Sequence, residues 1–204
     1  MSGAKSTLGT MILSLGAITI IAGALLAGVA EATSEPIAEA NKQKQVDAIK
    51  AVATAQFDND PAASAETITD LCDDKGHNVI VFPLYSGEEL TGAAVESYTP
   101  NAFSGFFTIM VGFDVDGNIT GYEVVKHEET AGLGAKMQDW FRDPAGHRNV
   151  IGMNPGVNNM TVSKDGGEVD AITAATISSR AFLDAIDRAY KGYNQYKASK
   201  NNEL

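Results

Sequence analysis

Cysteine is nearly missing from this sequence: Cys72 is the one thiol among 204 residues. An internal disulfide is thereby excluded, as is a metal site built on several thiolates. Basic residues are in deficit too. Lys and Arg number 15 against 26 Asp and Glu, a formal net charge of −11. No basic stripe exists to displace counterions from phosphates, so nucleic acid is excluded as a partner. His77, His127 and His147 are too scattered to imply a metal site. Ser, His and Asp all occur, but no nucleophile-elbow context supports a hydrolase. The chain carries no internal repeat and no low-complexity tract.

What is present is apolar surface. Hydrophobic residues make up 44% of the chain, enough for a packed core. Ser6 to Ala30 contains no charge. A helix of that length, rising about 1.5 Å per residue, crosses a hydrocarbon core of about 30 Å. Lys5 precedes the span, and Glu31 and Glu35 follow it. The positive-inside rule then places the N-terminus in the cytoplasm and the rest of the chain outside. A cleaved signal peptide is the alternative, but its apolar region usually runs about 7–15 residues. Gly23/Ala27 and Ala24/Gly28 are small-residue pairs that let helices approach closely in lipid.

Beyond the span, Ser34-Glu35-Pro36 reads as a helix start, with Ile37, Val46, Ile49 and Val52 at helical spacing. Phe57 to Ala65 reads as a loop, and Glu66 to Leu71 as a short helix or turn. From Asn78 the period changes. Two strands are predicted around the Ser86-Gly87 break. Two more flank Asp116-Gly117, a hairpin signal. Asp114, Asp116 and Asn118 also suggest a calcium loop, but Ile119 and Val125 occupy the positions that need Gly and Glu. Gly132 to Phe141 reads as a turn into a short helix, and Arg142 to Asn159 as an irregular loop. A further strand pair is predicted around Lys164-Asp165-Gly166-Gly167. Ser179 to Tyr193 is the clearest helix: Phe182, Ala185, Ile186, Ala189, Tyr190 and Tyr193 share one face. Strand pairs flanked by helices, without strict alternation, indicate an α+β domain with an antiparallel sheet.

Thr173, Thr176, Ser178 and Ser179 crowd the start of that helix, separated by Ala and Ile. Free backbone N–H groups and the positive helix end favour a phosphate there. Ala174 and Ala175 leave room for a bulky group. Ordinary N-capping by Ser178 or Ser179 is the plainer reading, yet one hydroxyl suffices for a cap.

Asp170-Ala171-Ile172-Thr173-Ala174-Ala175-Thr176-Ile177-Ser178-Ser179 resembles the D-x-x-[ST]-G-A-T-x-[ST]-S signature of the FMN-binding domain family, with Ala174 where the family has Gly. His127-Glu128-Glu129-Thr130-Ala131-Gly132-Leu133-Gly134 is similar to that family's H-x-E-T-P-G-L-G, with Ala131 in place of Pro. The family includes RnfG of the Rnf electron-transport complex and NqrC of the sodium-pumping NADH:quinone reductase. The short chain is more similar to the former.

The resemblance implies FMN joined by a phosphoester to Thr176, installed by a flavin transferase that uses FAD. It implies cofactor contacts at Glu129, Thr130, Gly132, Leu133, Gly134, Thr173, Ala175, Ser178 and Ser179. His127 would line the flavin pocket. By composition alone, Leu133, Met137, Trp140 and Phe141 could wall the ring or equally form ordinary core, and Lys164 could reach the phosphate, with a solvated lysine the default reading. The expected organisation is 1–30 cytoplasmic N-terminus and transmembrane helix, 31–75 helical connector, 76–196 FMN-binding domain and 197–204 polar tail. The implied role is electron relay in an ion-translocating ferredoxin:NAD oxidoreductase, beside other membrane and peripheral subunits, with no complete active site of its own. The domain would lie on the extracytoplasmic side of the inner membrane. The rivals are the equivalent component of the quinone reductase, a stand-alone membrane FMN carrier, and an anchored binding module without cofactor.

Overall fold

Alternating apolar residues from Val79 onward form a meander of antiparallel strands, as the sequence pattern predicts. The computed structural model describes residues 8–73 and 75–202. The elements are α1 (Leu8–Val52), β1 (Glu66–Thr67), β2 (Ile80–Ser86), β3 (Glu89–Ala102), β4 (Gly105–Asp114), β5 (Ile119–His127), α2 (Met137–Trp140) and α3 (Thr176–Asn202), with short 3-10 turns at Thr69–Leu71, Gly134–Lys136 and Ser163–Asp165. Each strand pairs with the next in sequence, giving one five-stranded sheet in the order β1-β2-β3-β4-β5. Asp116-Gly117 turns β4 into β5, and Asp114 Oδ1 accepts hydrogen bonds from the backbone N–H groups of Asp116 and Asn118.

The chain divides into two units, residues 1–44 and 45–204. In the first, α1 is apolar and exposed, with a mean hydropathy of 2.3 in its most apolar window, and is long enough to cross a membrane. Lys5, Ser6 and Thr7 lie outside the described residues, as do Glu203 and Leu204 of the tail. No new helix begins at Ser34: Pro36 sits inside the continuous α1. A proline there removes one backbone donor and crowds the preceding turn.

In the second unit both faces of the sheet are covered. On one face, Ala48, Ile49 and Val52 at the end of α1 pack against Phe82, Leu84, Ala94 and Met110. Thr120 Oγ1 donates to the Val52 carbonyl at 2.8 Å. A side chain at Gly112 would overlap that same carbonyl, so glycine permits the close approach. On the other face, α3 buries Phe182, Ala185, Ile186, Ala189, Tyr193 and Tyr196 against β2–β5. Phe113 stacks on Tyr193 at 5.5 Å, and Phe182 lies between Phe141 at 4.3 Å and Tyr122 at 4.9 Å. Each such ring contributes about 1.5–3 kcal/mol through burial.

The β5 edge is occupied by its own downstream chain. Ile119 N–H donates to Met153 O, Val124 N–H to Gln138 Oε1, and Arg142 to the Tyr122 carbonyl. Three further expectations change. Glu66 and Thr67 pair with β2 as β1, and only Thr69–Leu71 forms the expected short helical turn. The segment around Lys164 is a 3-10 turn joined by one isolated bridge, Val162 to Val169, because Asp165 and Gly167 N–H groups both turn back to the Val162 carbonyl. The helix expected from Ser179 starts at Thr176 and continues through the supposed tail to Asn202.

Candidate functional site

Both motifs end beside one another. The first leaves β5 at His127 and enters the 3-10 turn at Gly134; the second is the loop before α3 and its first turn. Between them lies a cavity of about 300 Å³, lined by Phe103, Glu129, Thr130, Leu133, Gly134, Ala174, Ala175, Thr176, Ile177 and Ser178. That volume is at the lower end of the roughly 300–1,000 Å³ typical of small-molecule sites. Its rim is apolar: Phe103, Leu133 and Ile177 are all exposed.

The four hydroxyls have separate fates. Ser179 is buried; its Oγ donates to Ala175 O at 3.0 Å and accepts from Ile172 N–H at 2.9 Å, fastening the loop to the helix. Ser178 is buried and donates to Glu129 Oε2 at 2.5 Å. Thr173 is exposed and does not line the cavity. Thr176 is half-buried at the first position of α3, faces the cavity, and makes no side-chain hydrogen bond to any described residue. The first helical bond of α3 runs from Ser179 N–H to Ala175 O. The N–H groups of Thr176, Ile177 and Ser178 precede it and have no helical acceptor. The site therefore offers a free hydroxyl and unsatisfied backbone donors at a positive helix end.

The turn into the helix explains the departure at Ala174. Ala175 N–H bonds to Ile172 O at 3.0 Å, closing a tight turn. Ala174 occupies its third position with φ +63°, the one non-glycine residue with positive φ among those described. Alanine in this left-handed region costs about 1 kcal/mol, which accounts for a glycine preference there.

Glu129 is only 7% exposed. Oε1 accepts from Ser104 N–H at 2.9 Å, and Oε2 from Ser178 Oγ–H. Gly134 packs directly on this carboxylate. Asp170, which opens the second motif, faces away from the cavity. Its Oδ2 accepts from His147 N–H at 3.0 Å and its Oδ1 from Ser163 Oγ at 3.0 Å. The His147 backbone hydrogen bond, with help from Ser163, holds the Asp170 carboxyl below the usual aspartate range.

Of the residues the motifs nominate, Glu129, Thr130, Leu133, Gly134, Ala175, Thr176 and Ser178 line the cavity; Gly132, Thr173 and Ser179 do not. Met137 and Phe141 are core residues, and Trp140 Nε1 is bonded to Asp170 O at 2.9 Å. His127 and Lys164 are not among the lining residues. Phe103 and Ile177 complete the rim without having been nominated. Phe103 carried one signal: a large apolar side chain between Asn101 and Gly105, where a turn is expected to be polar.

Residues 103–191 match the family model of the FMN-binding domain. Over 191 residues the chain is 31% identical to the G subunit of the ion-translocating oxidoreductase complex of Cereibacter sphaeroides, covering 91% of this chain and 84% of the relative. Proteins of the same name from Yersinia pestis and Aliivibrio fischeri are 34% and 39% identical over 145 and 108 residues. Those two matches cover 68% and 52% of this chain, and 66% and 51% of the relatives.

Proposed function

We propose, from the premise that this chain belongs to the family of the G subunits of ion-translocating oxidoreductase complexes and contains an FMN-binding domain, that it relays electrons through FMN esterified to Thr176. The observation that carries this reading is the state of Thr176. Its hydroxyl is the one at the helix start that both faces the cavity and is uncommitted among the described residues. In the attachment step Thr176 Oγ1 forms the new P–O bond to the riboflavin-side phosphorus of FAD. The pyrophosphate bond breaks, AMP departs, and the threonine proton passes to a base on the flavin transferase. FMN, once bound, supplies the redox chemistry of the protein.

The chain's own residues fit that group. The N–H groups of Thr176, Ile177 and Ser178 and the positive end of α3 favour the phosphate, an effect of about 0.3–1 kcal/mol per charge at an exposed helix end. Phe103, Leu133 and Ile177 offer apolar surface for a flat ring system. Thr130 offers a hydroxyl on the same wall. A covalent tether retains the cofactor where dissociated flavin would be hard to replace. We place the domain on the extracytoplasmic side of the membrane, anchored by α1, among the other subunits of an Rnf-type complex coupling ferredoxin oxidation and NAD reduction to ion movement.

Full-length protein produced together with a flavin transferase tests the tether. A fluorescent band on a denaturing gel and an intact mass increased by one FMN phosphoester are expected. Both should vanish in Thr176→Val and survive in Thr173→Val. An unmodified wild-type polypeptide isolated from its native host overturns the reading. Protease added to intact spheroplasts should digest residues 45–204; protection until the membrane is broken would reverse the orientation.

A further inference from the structure

We infer that Glu129 is a positioning residue for the flavin site: it locks three chain segments around the cavity and fixes which donors face the phosphate. This inference rests on the FMN reading. Glu129 follows β5, Ser104 lies in the β3–β4 turn next to Phe103, and Ser178 belongs to the first turn of α3. The Glu129 carboxylate is the atom group that all of them share, through Ser104 N–H at 2.9 Å and Ser178 Oγ–H at 2.5 Å. Gly134 closes the underside, since any side chain there would overlap Glu129 Oε2. One buried group thus couples the position of the Phe103 rim, the Thr130–Gly134 wall and the helix that carries Thr176.

The same bond has a chemical consequence. A serine hydroxyl has one proton. Ser178 gives that proton to Glu129, so it has none for a phosphate. The donors left at the helix start are the backbone N–H groups. A neutral amide in place of Glu129 reverses this polarity. Its oxygen still accepts from Ser104, while its NH2 donates to Ser178 Oγ and releases the serine proton towards the cavity. Glu129→Gln therefore preserves the brace while freeing the Ser178 proton, whereas Glu129→Ala frees that proton and removes the brace as well, so the two variants together isolate the brace.

The experiment uses the full chain in detergent, made with and without the flavin transferase. In flavin-free protein, amide hydrogen exchange at Ser104 and across residues 179–182, the first hydrogen-bonded amides of α3, should be at least about tenfold faster in Glu129→Ala than in wild type, and near wild type in Glu129→Gln. In flavinylated protein, the visible circular dichroism of the tethered flavin should be retained by Glu129→Gln and lost or inverted in Glu129→Ala. Unchanged exchange at both segments in Glu129→Ala overturns the brace. Faster exchange with an unaltered visible signal overturns its link to the flavin. If wild type carries no flavin, the FMN reading fails, while the exchange measurement still decides the brace. Should Glu129→Ala not fold, Ser178→Ala cuts the α3 arm alone; it should accelerate exchange at 179–182 and leave Ser104 protected, and protection of both would refute the coupling.

Discussion

Placing alanine at Gly134 puts a methyl group where the wall of the cavity meets its brace. The added Cβ would overlap Glu129 Oε2 and stand 2.5 Å from Ser178 Oγ and 2.9 Å from Glu129 Cδ. Gly134 is not among the glycines with positive φ, so the cost is steric rather than conformational. Glu129 can retreat only by giving up its bonds to Ser104 and Ser178. A hydrogen bond to a charged group contributes about 1.5–3 kcal/mol. Overpacking a filled site costs about 1–3 kcal/mol. The two overlap, because releasing the carboxylate relieves the clash, and a total of about 3 kcal/mol is expected. For a folded unit of this size, that lowers Tm by about 6–12 °C. Trp140, the one tryptophan, gives the readout. Its indole is bonded to Asp170 O and covered by Arg148 at 4.0 Å, so its emission follows this unit even with α1 in detergent. Gly132→Ala is the control. Gly132 has φ +77° with open space around its missing side chain, so only left-handed strain of about 1 kcal/mol applies. A Gly134→Ala protein no less stable than Gly132→Ala would refute the packing argument.

Ala174→Gly should stabilise the domain by up to about 0.5 kcal/mol, because relief of left-handed strain of about 1 kcal/mol slightly exceeds glycine's entropic cost of about 0.5–1 kcal/mol; a lower Tm by Trp140 emission would contradict it. Tyr122 governs part of the alkaline limb of stability. Burial pushes its phenol up to about 12, and its hydroxyl donates to Met137 O at 2.8 Å. Its contribution is whole below pH of about 10. Between about 10 and 12 the unfolded chain releases the proton and the folded chain keeps it, so stability falls by up to about 1.4 kcal/mol per pH unit. Urea midpoints across that range should decline less steeply in Tyr122→Phe. Tyr193, also raised by burial, sustains the remaining slope, and an unaltered decline would show that Tyr122 carries none of it.

Elements written in a local period were legible in the residues alone. The uncharged run of α1 appears as an exposed helix long enough to cross a membrane. The apolar stripe from Phe182 to Tyr193 is the buried face of α3. Asp116-Gly117 turns a hairpin, and the two glycine- and hydroxyl-bearing motifs sit at the end of β5 and at the start of α3. Periodicity and turn chemistry act over a few residues, so a few residues suffice to read them. The partner of each hydroxyl was a different matter. Ser178 meets Glu129 across 49 positions, and Phe103 reaches the cavity from a separate hairpin. Met137 and Phe141 have the composition of a ring-binding wall but are fully buried in the core. Which threonine is free followed from α3 starting at Thr176 rather than Ser179, and the reason for a glycine preference at position 174 followed from φ +63°. These outcomes depend on which backbone groups a distant segment satisfies and which space it fills, and only the folded chain brings those segments together.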